Sequence, residues 1–286
     1  MRASAFLLIV SSALCCMAAE RALEIPFRWT PGQIEVQVSI DGRPPIWCIL
    51  DSGAEFSMLD AEVAKTLKLG PGVRRGGRER IENVTLAIGP VRMRGQSMTL
   101  WSLDNFRRQK REIRGVVGCE LFERYAVTID YQRQVVIVTE PPSFHPNPNA
   151  TEFPITFAGR LPVIRTSLKI GPNVIPARLM IDTGASQAVI LRYPFANEHQ
   201  LFGAQDKTTT SETVATGPTP FVTLSVDELR LGRWRFPDPR VKAYGTQRGA
   251  GGGTSTDGLL GNDILHHFRV TFDYSRKRLL LEETDG

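Results

Sequence analysis

Histidine, cysteine and long apolar runs are all scarce in this chain of 286 residues, and each scarcity removes a class of function. The four histidines, His145, His199, His266 and His267, stand at no metal-ligand spacing from a cysteine or carboxylate partner, so neither a metal nor any other cofactor is expected. The adjacent pair His266-His267 is expected to lie at the surface with its rings on different faces. Four cysteines, Cys15, Cys16, Cys48 and Cys119, are too few for a disulfide scaffold. A Gly-x-Ser-x-Gly elbow and a P-loop are both missing, which argues against a serine hydrolase of that type and a phosphate-cradling NTPase. The net charge of +5 comes from scattered arginines such as Arg74, Arg75, Arg107, Arg108 and Arg111. They are not interleaved with aromatics as a nucleic-acid module would require, so a solvated basic surface and no nucleic-acid partner are expected.

The N-terminus holds the one long apolar run. Arg2 precedes the apolar residues 5–14, and small residues Ala18 and Ala19 follow before Glu20. That order matches a signal peptide over 1–19, too short to span a bilayer comfortably, and implies a secreted or periplasmic protein. Cleavage there would leave Cys48 and Cys119. An oxidising compartment would permit a disulfide between them; two buried thiols are the other reading.

What is present in abundance is repetition. Trp47-Cys48-Ile49-Leu50-Asp51-Ser52-Gly53-Ala54 is answered by Leu179-Met180-Ile181-Asp182-Thr183-Gly184-Ala185-Ser186. One Asp-Ser/Thr-Gly is weak, since ordinary composition yields it by chance in roughly one such chain in eight. The contexts repeat as well. Val116-Val117-Gly118 and then Val127-Thr128-Ile129-Asp130-Tyr131 follow the first copy; Leu259-Leu260-Gly261 and then Val270-Thr271-Phe272-Asp273-Tyr274 follow the second. An internal duplication with so long a period indicates two related lobes.

Strands are expected at 34–40 and 46–50 around an Asp41-Gly42 turn, and at 163–170 and 174–181 around Gly171-Pro172-Asn173. Further strands are expected at 84–88 and 221–231, closing strands at 135–138 and 279–281, and a short helix at 59–69. The proline-rich stretch 141–153 reads as a linker between an N-terminal lobe, 20–140, and a C-terminal lobe, 154–286. The glycine-rich stretch 249–255 lacks a strand-turn-helix setting and is expected to be a mobile loop. The fold expected is all-β, with short helices only.

A carboxylate at the end of an apolar strand in each of two facing lobes has a specific use. If the lobes are related by a pseudo-two-fold axis, Asp51 and Asp182 converge, and two close carboxylates share one proton. One then serves as base toward a water and the other as acid toward a carbonyl. Gly53 and Gly184 would let the two loops approach, having no Cβ.

These motifs resemble those of the aspartic peptidase superfamily, with each half similar to a retropepsin-like lobe of the bacterial aspartyl-protease type. The resemblance implies two β lobes in one chain and Asp51 and Asp182 as the catalytic pair. It implies Ser52 and Thr183 as interlocking hydroxyls, Gly53, Ala54, Gly184 and Ala185 as loop support, and Gly118 and Gly261 packed behind the loops. A peptide or unfolded protein would be the substrate and a monomer the working form. Two departures stand out. No tyrosine lies between Asp60 and Arg124 to serve as a flap tyrosine, so a flap is expected at 74–81 or 208–218. Ala54 and Ala185 replace hydroxyl residues, which predicts a dyad that titrates higher and a mildly acidic to near-neutral optimum. Two other readings fit the same residues: an inactive two-lobed peptide-binding module, and a homodimer that pairs lobes between chains.

Overall fold

The computed structural model describes residues 22–284 apart from 31, 204–208, 215–216 and 248–254. The signal-peptide expectation at 1–19 and most of the glycine-rich stretch at 249–255 fall outside the described residues. No helix among the described residues is long and apolar enough to cross a membrane.

The N-terminal half runs β1 (Leu23–Pro26), β2 (Arg28–Thr30), β3 (Gln33–Ile40), β4 (Ile46–Leu50), β5 (Met58–Asp60), α1 (Ala61–Thr66), β6 (Val73–Arg75), β7 (Arg78–Ile88) and β8 (Val91–Trp101). It continues with α2 (Asp104–Arg108), β9 (Ile113–Val117), α3 (Cys119–Arg124), β10 (Ala126–Asp130) and β11 (Val135–Thr139). The C-terminal half runs β12 (Thr151–Pro154), β13 (Thr156–Ala158), β14 (Leu161–Ile170), β15 (Asn173–Ile181), β16 (Val189–Leu191), α4 (Tyr193–Glu198), β17 (Thr209–Val214) and β18 (Gly217–Leu224). It ends with β19 (Glu228–Leu231), β20 (Trp234–Pro237), β21 (Val241–Tyr244), β22 (Gly258–Leu260), α5 (Asn262–Leu265), β23 (Phe268–Asp273) and β24 (Arg278–Glu283).

The protein is mostly β and two-lobed. An eight-stranded sheet, β2-β3-β4-β9-β5-β8-β7-β6, forms one lobe, and a larger sheet built on β14, β15, β16 and β22 forms the other. The same local pattern recurs in each. The strand that ends at the aspartate lies parallel to the one that ends at apolar-apolar-Gly, as β4 beside β9 and β15 beside β22. Residues 48–50 and 179–181 are buried on both faces, as expected for central strands read as continuous apolar runs.

A third sheet, β1-β11-β10-β23-β24-β12, takes strands from both halves. Its middle pair is β10 against β23, antiparallel, with Thr128 opposite Thr271. These are equivalent positions of the duplicated V-T-x-D-Y motif, and their hydroxyls meet at 2.8 Å in the interior. The pseudo-two-fold axis passes between them. Phe122 of one half packs edge-on against Phe272 of the other at 4.9 Å, both fully buried.

Local details differ from the sequence reading in three places. The stretch 221–231 is two strands, β18 and β19, separated at residues 225–227, where Asp227 accepts from Gly171 N of the β14–β15 turn. The helix expected at 59–69 is α1 alone: Leu59 belongs to β5, and Asp60 caps the helix by accepting from Glu62 N and Val63 N. Thr151–Pro154, expected largely as linker, is β12, paired with β24.

Candidate active site

The two aspartate loops are held by matching backbone bonds. Asp51 N donates to Val117 O and Asp182 N to Leu260 O, each at 2.9 Å. Cys119 N donates to Ala54 O at 3.0 Å, and Asn262 N to Ala185 O at 2.9 Å. Gly118 and Gly261 sit behind the loops, where a Cβ would fall 2.7 Å from Ala54 O and 2.3 Å from Gln187 O respectively. Only glycine fits at these two positions.

The hydroxyls then cross. Ser52 N donates to Thr183 Oγ1 at 2.9 Å while Thr183 Oγ1 donates to Leu50 O at 2.8 Å. In return Thr183 N donates to Ser52 Oγ at 3.1 Å and Ser52 Oγ to Ile181 O at 2.8 Å. Both residues are fully buried, so all four bonds are shielded from water. The approach is close enough that a Cβ on Gly53 would lie 2.5 Å from Asp182 Cγ, and one on Gly184 the same distance from Asp51 Cγ.

This interlock puts the Asp51 and Asp182 carboxyl groups in hydrogen-bonding contact on the floor of a cleft of about 490 Å³. Gly53 N donates to Asp51 Oδ1 at 2.7 Å, and Gly184 N to Asp182 Oδ1 at 2.9 Å. Burial, and next the charge of Asp182, push Asp51 well above the ordinary carboxylate range. Burial also raises Asp182. There the hydrogen bond from Asp51, the Gly184 and Ala185 N–H groups and the Arg192 guanidinium oppose it. Two carboxyl groups held this close favour having one of them neutral.

The cleft walls combine apolar side chains, among them Ile49, Met58, Val116, Ile190 and Leu259, with Tyr244 and Arg111. Four residues here had no motif to announce them: Gln33, Arg111, Arg192 and Tyr244. Gln33 Nε2 donates to Gly184 O at 2.6 Å, and Arg111 bonds to Gln33. Neither copy of the duplicated motif contains them, so the repeat that reveals the aspartates says nothing about their neighbours.

The flap positions proved informative in part. Residues 74–81 do form a hairpin, β6–β7, turning at Gly76-Gly77 with φ of +57° and +76°. That hairpin is exposed and absent from the cleft wall; α2 and the residues after it, through Asn105, Phe106 and Gln109, border the cleft instead. In the second candidate, 208–218, a β17–β18 hairpin is present, with residues 208, 215 and 216 outside the described set. Cys48 and Cys119 are buried free thiols. Cys119 Sγ approaches Arg160 O at 3.4 Å, and burial first of all pushes its thiol up to about 12. His266 and His267 are exposed as expected, but their rings do not diverge. They lie 4.2 Å apart, because α5 ends there and the turn brings neighbouring side chains together.

Two β lobes sharing a sheet, with one Asp-Ser/Thr-Gly loop from each interlocked across a pseudo-two-fold axis, define the aspartic-peptidase class of fold. The sequence profile described as "Aspartyl protease" matches residues 36–120 and 166–264, one stretch per lobe. The chain belongs to the aspartyl protease family. Among solved structures, an aspartic proteinase from Irpex lacteus superposes with a TM-score of 0.52 over 93% of this chain and 98% of its own, at 12% identity. At that identity the likeness is one of fold. No curated protein sequence matches the chain.

Proposed function

We propose that this protein is an exported aspartic endopeptidase that hydrolyses peptide bonds through a water activated by Asp51 and Asp182. The observation that carries the reading is the four-bond hydroxyl interlock, which brings both carboxyl groups together within one chain. With one proton shared, the ionised carboxylate accepts a proton from water as that water attacks the scissile carbonyl. The protonated partner donates to the carbonyl oxygen as it gains charge. The resulting tetrahedral diol collapses when the amide nitrogen takes up a proton and leaves, so no covalent enzyme intermediate is required. Ile49, Met58 and Val116 on one side of the pair and Ile190 and Leu259 on the other suit apolar side chains flanking the cleaved bond. Export rests on the order Arg2, residues 5–14, Ala18-Ala19.

The test is cleavage of an unstructured protein by the mature chain between pH 3 and 8, beside Asp51→Asn and Asp182→Asn. Each variant should lose activity on the order of 10²–10⁴-fold. The profile of the parent should peak at mildly acidic to near-neutral pH, since both carboxyl groups are raised and neither Ala54 nor Ala185 offers a hydroxyl. Activity still rising below about pH 3 contradicts a raised dyad. Activity regained on mixing the two variants points to a site formed between chains, and a folded but inert parent to a peptide-binding module.

A further inference from the structure

The duplicated frame is broken in one place next to the dyad. The β2–β3 turn of the first lobe reaches across to the aspartate loop of the second. Asn262 Nδ2 donates to Gly32 O at 2.8 Å, and Gly32, at φ +74°, lies so close that a Cβ would meet Ser186 Cβ at 2.3 Å. The next residue, Gln33, donates through Nε2 to Gly184 O at 2.6 Å.

That amide cannot turn round. A guanidinium has donors only, and Arg111 donates to Gln33 Oε1, so the NH₂ end has to face Gly184. Arg111 is itself fixed by Glu35, a carboxylate 1% exposed that also receives Arg28. Arg28 in turn lies 3.9 Å over the Trp47 ring. The chain Trp47–Arg28–Glu35–Arg111–Gln33 thus ends on one peptide unit, Gly184–Ala185. The carbonyl of that unit accepts from Gln33, while its N–H, from Ala185, donates to the Asp182 main-chain O at 3.3 Å. That N–H also lies beside the Asp182 carboxylate, which Gly184 N binds directly at 2.9 Å. A hydrogen bond to the carbonyl polarises the same unit's N–H and strengthens its donation.

Among the described residues, the first aspartate loop shows no equivalent bond. Thr30 pairs with Gln33 as Ala158 pairs with Leu161, so the second lobe carries Leu161 in place of Gln33 and Val163 in place of Glu35. Its turn offers Arg160 instead, which bonds to Glu55 O and Glu123, away from Gly53. The charged and titratable groups facing Asp182 add to the asymmetry. These are Asp51 from the opposite loop, Arg192 from beyond β16 and Tyr244 from β21. Arg192 favours the Asp182 anion.

We propose that Gln33, oriented by Arg111, is a positioning residue that fixes the Gly184–Ala185 peptide and so keeps Asp182 as the ionised, water-activating carboxylate, with the shared proton on Asp51. This rests on the shared-dyad reading given above.

The decisive variant is Gln33→Leu, which installs the second lobe's own residue; Arg111→Lys keeps a charge beside Glu35 but gives up the planar fork, and Gln37→Leu on the same strand is the control. For Gln33→Leu, kcat should fall about 10-fold or more with KM within about 2-fold, as expected when a reacting group is misplaced. The acid limb of the kcat profile should move up by roughly 0.5–1 pH unit as the Asp182 anion loses support. Arg111→Lys should shift both in the same sense, and thermal midpoints should stay within a few degrees of the parent. An unchanged kcat and acid limb overturns the proposal, as does a higher KM with kcat intact, which would make Gln33 a substrate-binding residue. Carboxyl ¹³C titration of aspartate-labelled protein runs in parallel and needs no turnover. Gln33→Leu should draw the dyad's two macroscopic pKa values closer together, and an unmoved gap overturns the proposal. An inert parent would sink the peptidase reading alone, because the titration still decides the positioning claim.

Discussion

A side chain at Gly53 or Gly184 would occupy the place of the opposite carboxylate, so the closeness of the two aspartates is written into the residues beside them. That closeness has a stability consequence. Asp51 is raised first by burial and then by Asp182, so its carboxyl stays protonated in the fold at pH values where the unfolded chain has released its proton. Between the unfolded value, about 4, and the raised folded value, the folded state binds more protons. The contribution of this group is therefore complete below pH 4 and is lost as pH rises through the folded value. Asp51→Asn should remove that loss: urea unfolding at pH 4 and pH 7 should show a smaller fall between the two for the variant than for the parent. An equal fall in both would mean that the carboxyl is not held protonated. The aspartates themselves were legible because each motif copy vouches for the other. Gln33 was not, since its second-lobe counterpart is Leu161 and a lone glutamine at a strand start carries no signal, and Arg111 read only as one of several scattered arginines.

Among the elements, β3 shows how far a period-two pattern reaches. The alternation Ile34-Glu35-Val36-Gln37-Val38 correctly buries the valines and leaves Gln37 exposed. It assigns Glu35 to the polar face as well, yet Glu35 is as buried as Val36, because Arg28 and Arg111 from neighbouring segments close over it. Tertiary packing overrides the strand's own pattern there. Glu35→Gln would leave two guanidinium groups facing a neutral amide. Both arginines are partly exposed, which softens the cost, so a loss of about 2–3 kcal/mol in denaturant unfolding is expected. A change under about 0.5 kcal/mol would mean that water already screens the cluster. The turns at Asp41-Gly42 and Gly171, all at positive φ, follow from composition and were readable. The ends of β7 and β19, and the break before β19, depend on partner strands and were not.

At the scale of the whole molecule, the duplication carried over into space: equivalent strands β10 and β23 pair at the axis, and equivalent threonines touch there. The sheet that contains them draws β1, β10 and β11 from one half and β12, β23 and β24 from the other. A protease site introduced at 145–149, where most residues are exposed, should therefore yield two fragments that co-elute on size exclusion and keep whatever activity the uncut chain shows. Separation of the fragments would show that the covalent joint, and not the shared sheet, keeps the halves together.

That seam also decides how the protein can breathe. A clamshell opens by bending at a slack joint, but here the joint is a run of backbone ladder bonds with Phe122 and Phe272 locked beneath it. Swinging one lobe away from the other would unzip β10 from β23 and pull the threaded hydroxyls out of their sockets. Any widening of the cleft therefore falls to its rim, to the segment around α2 that borders it, while the body stays shut like a casting.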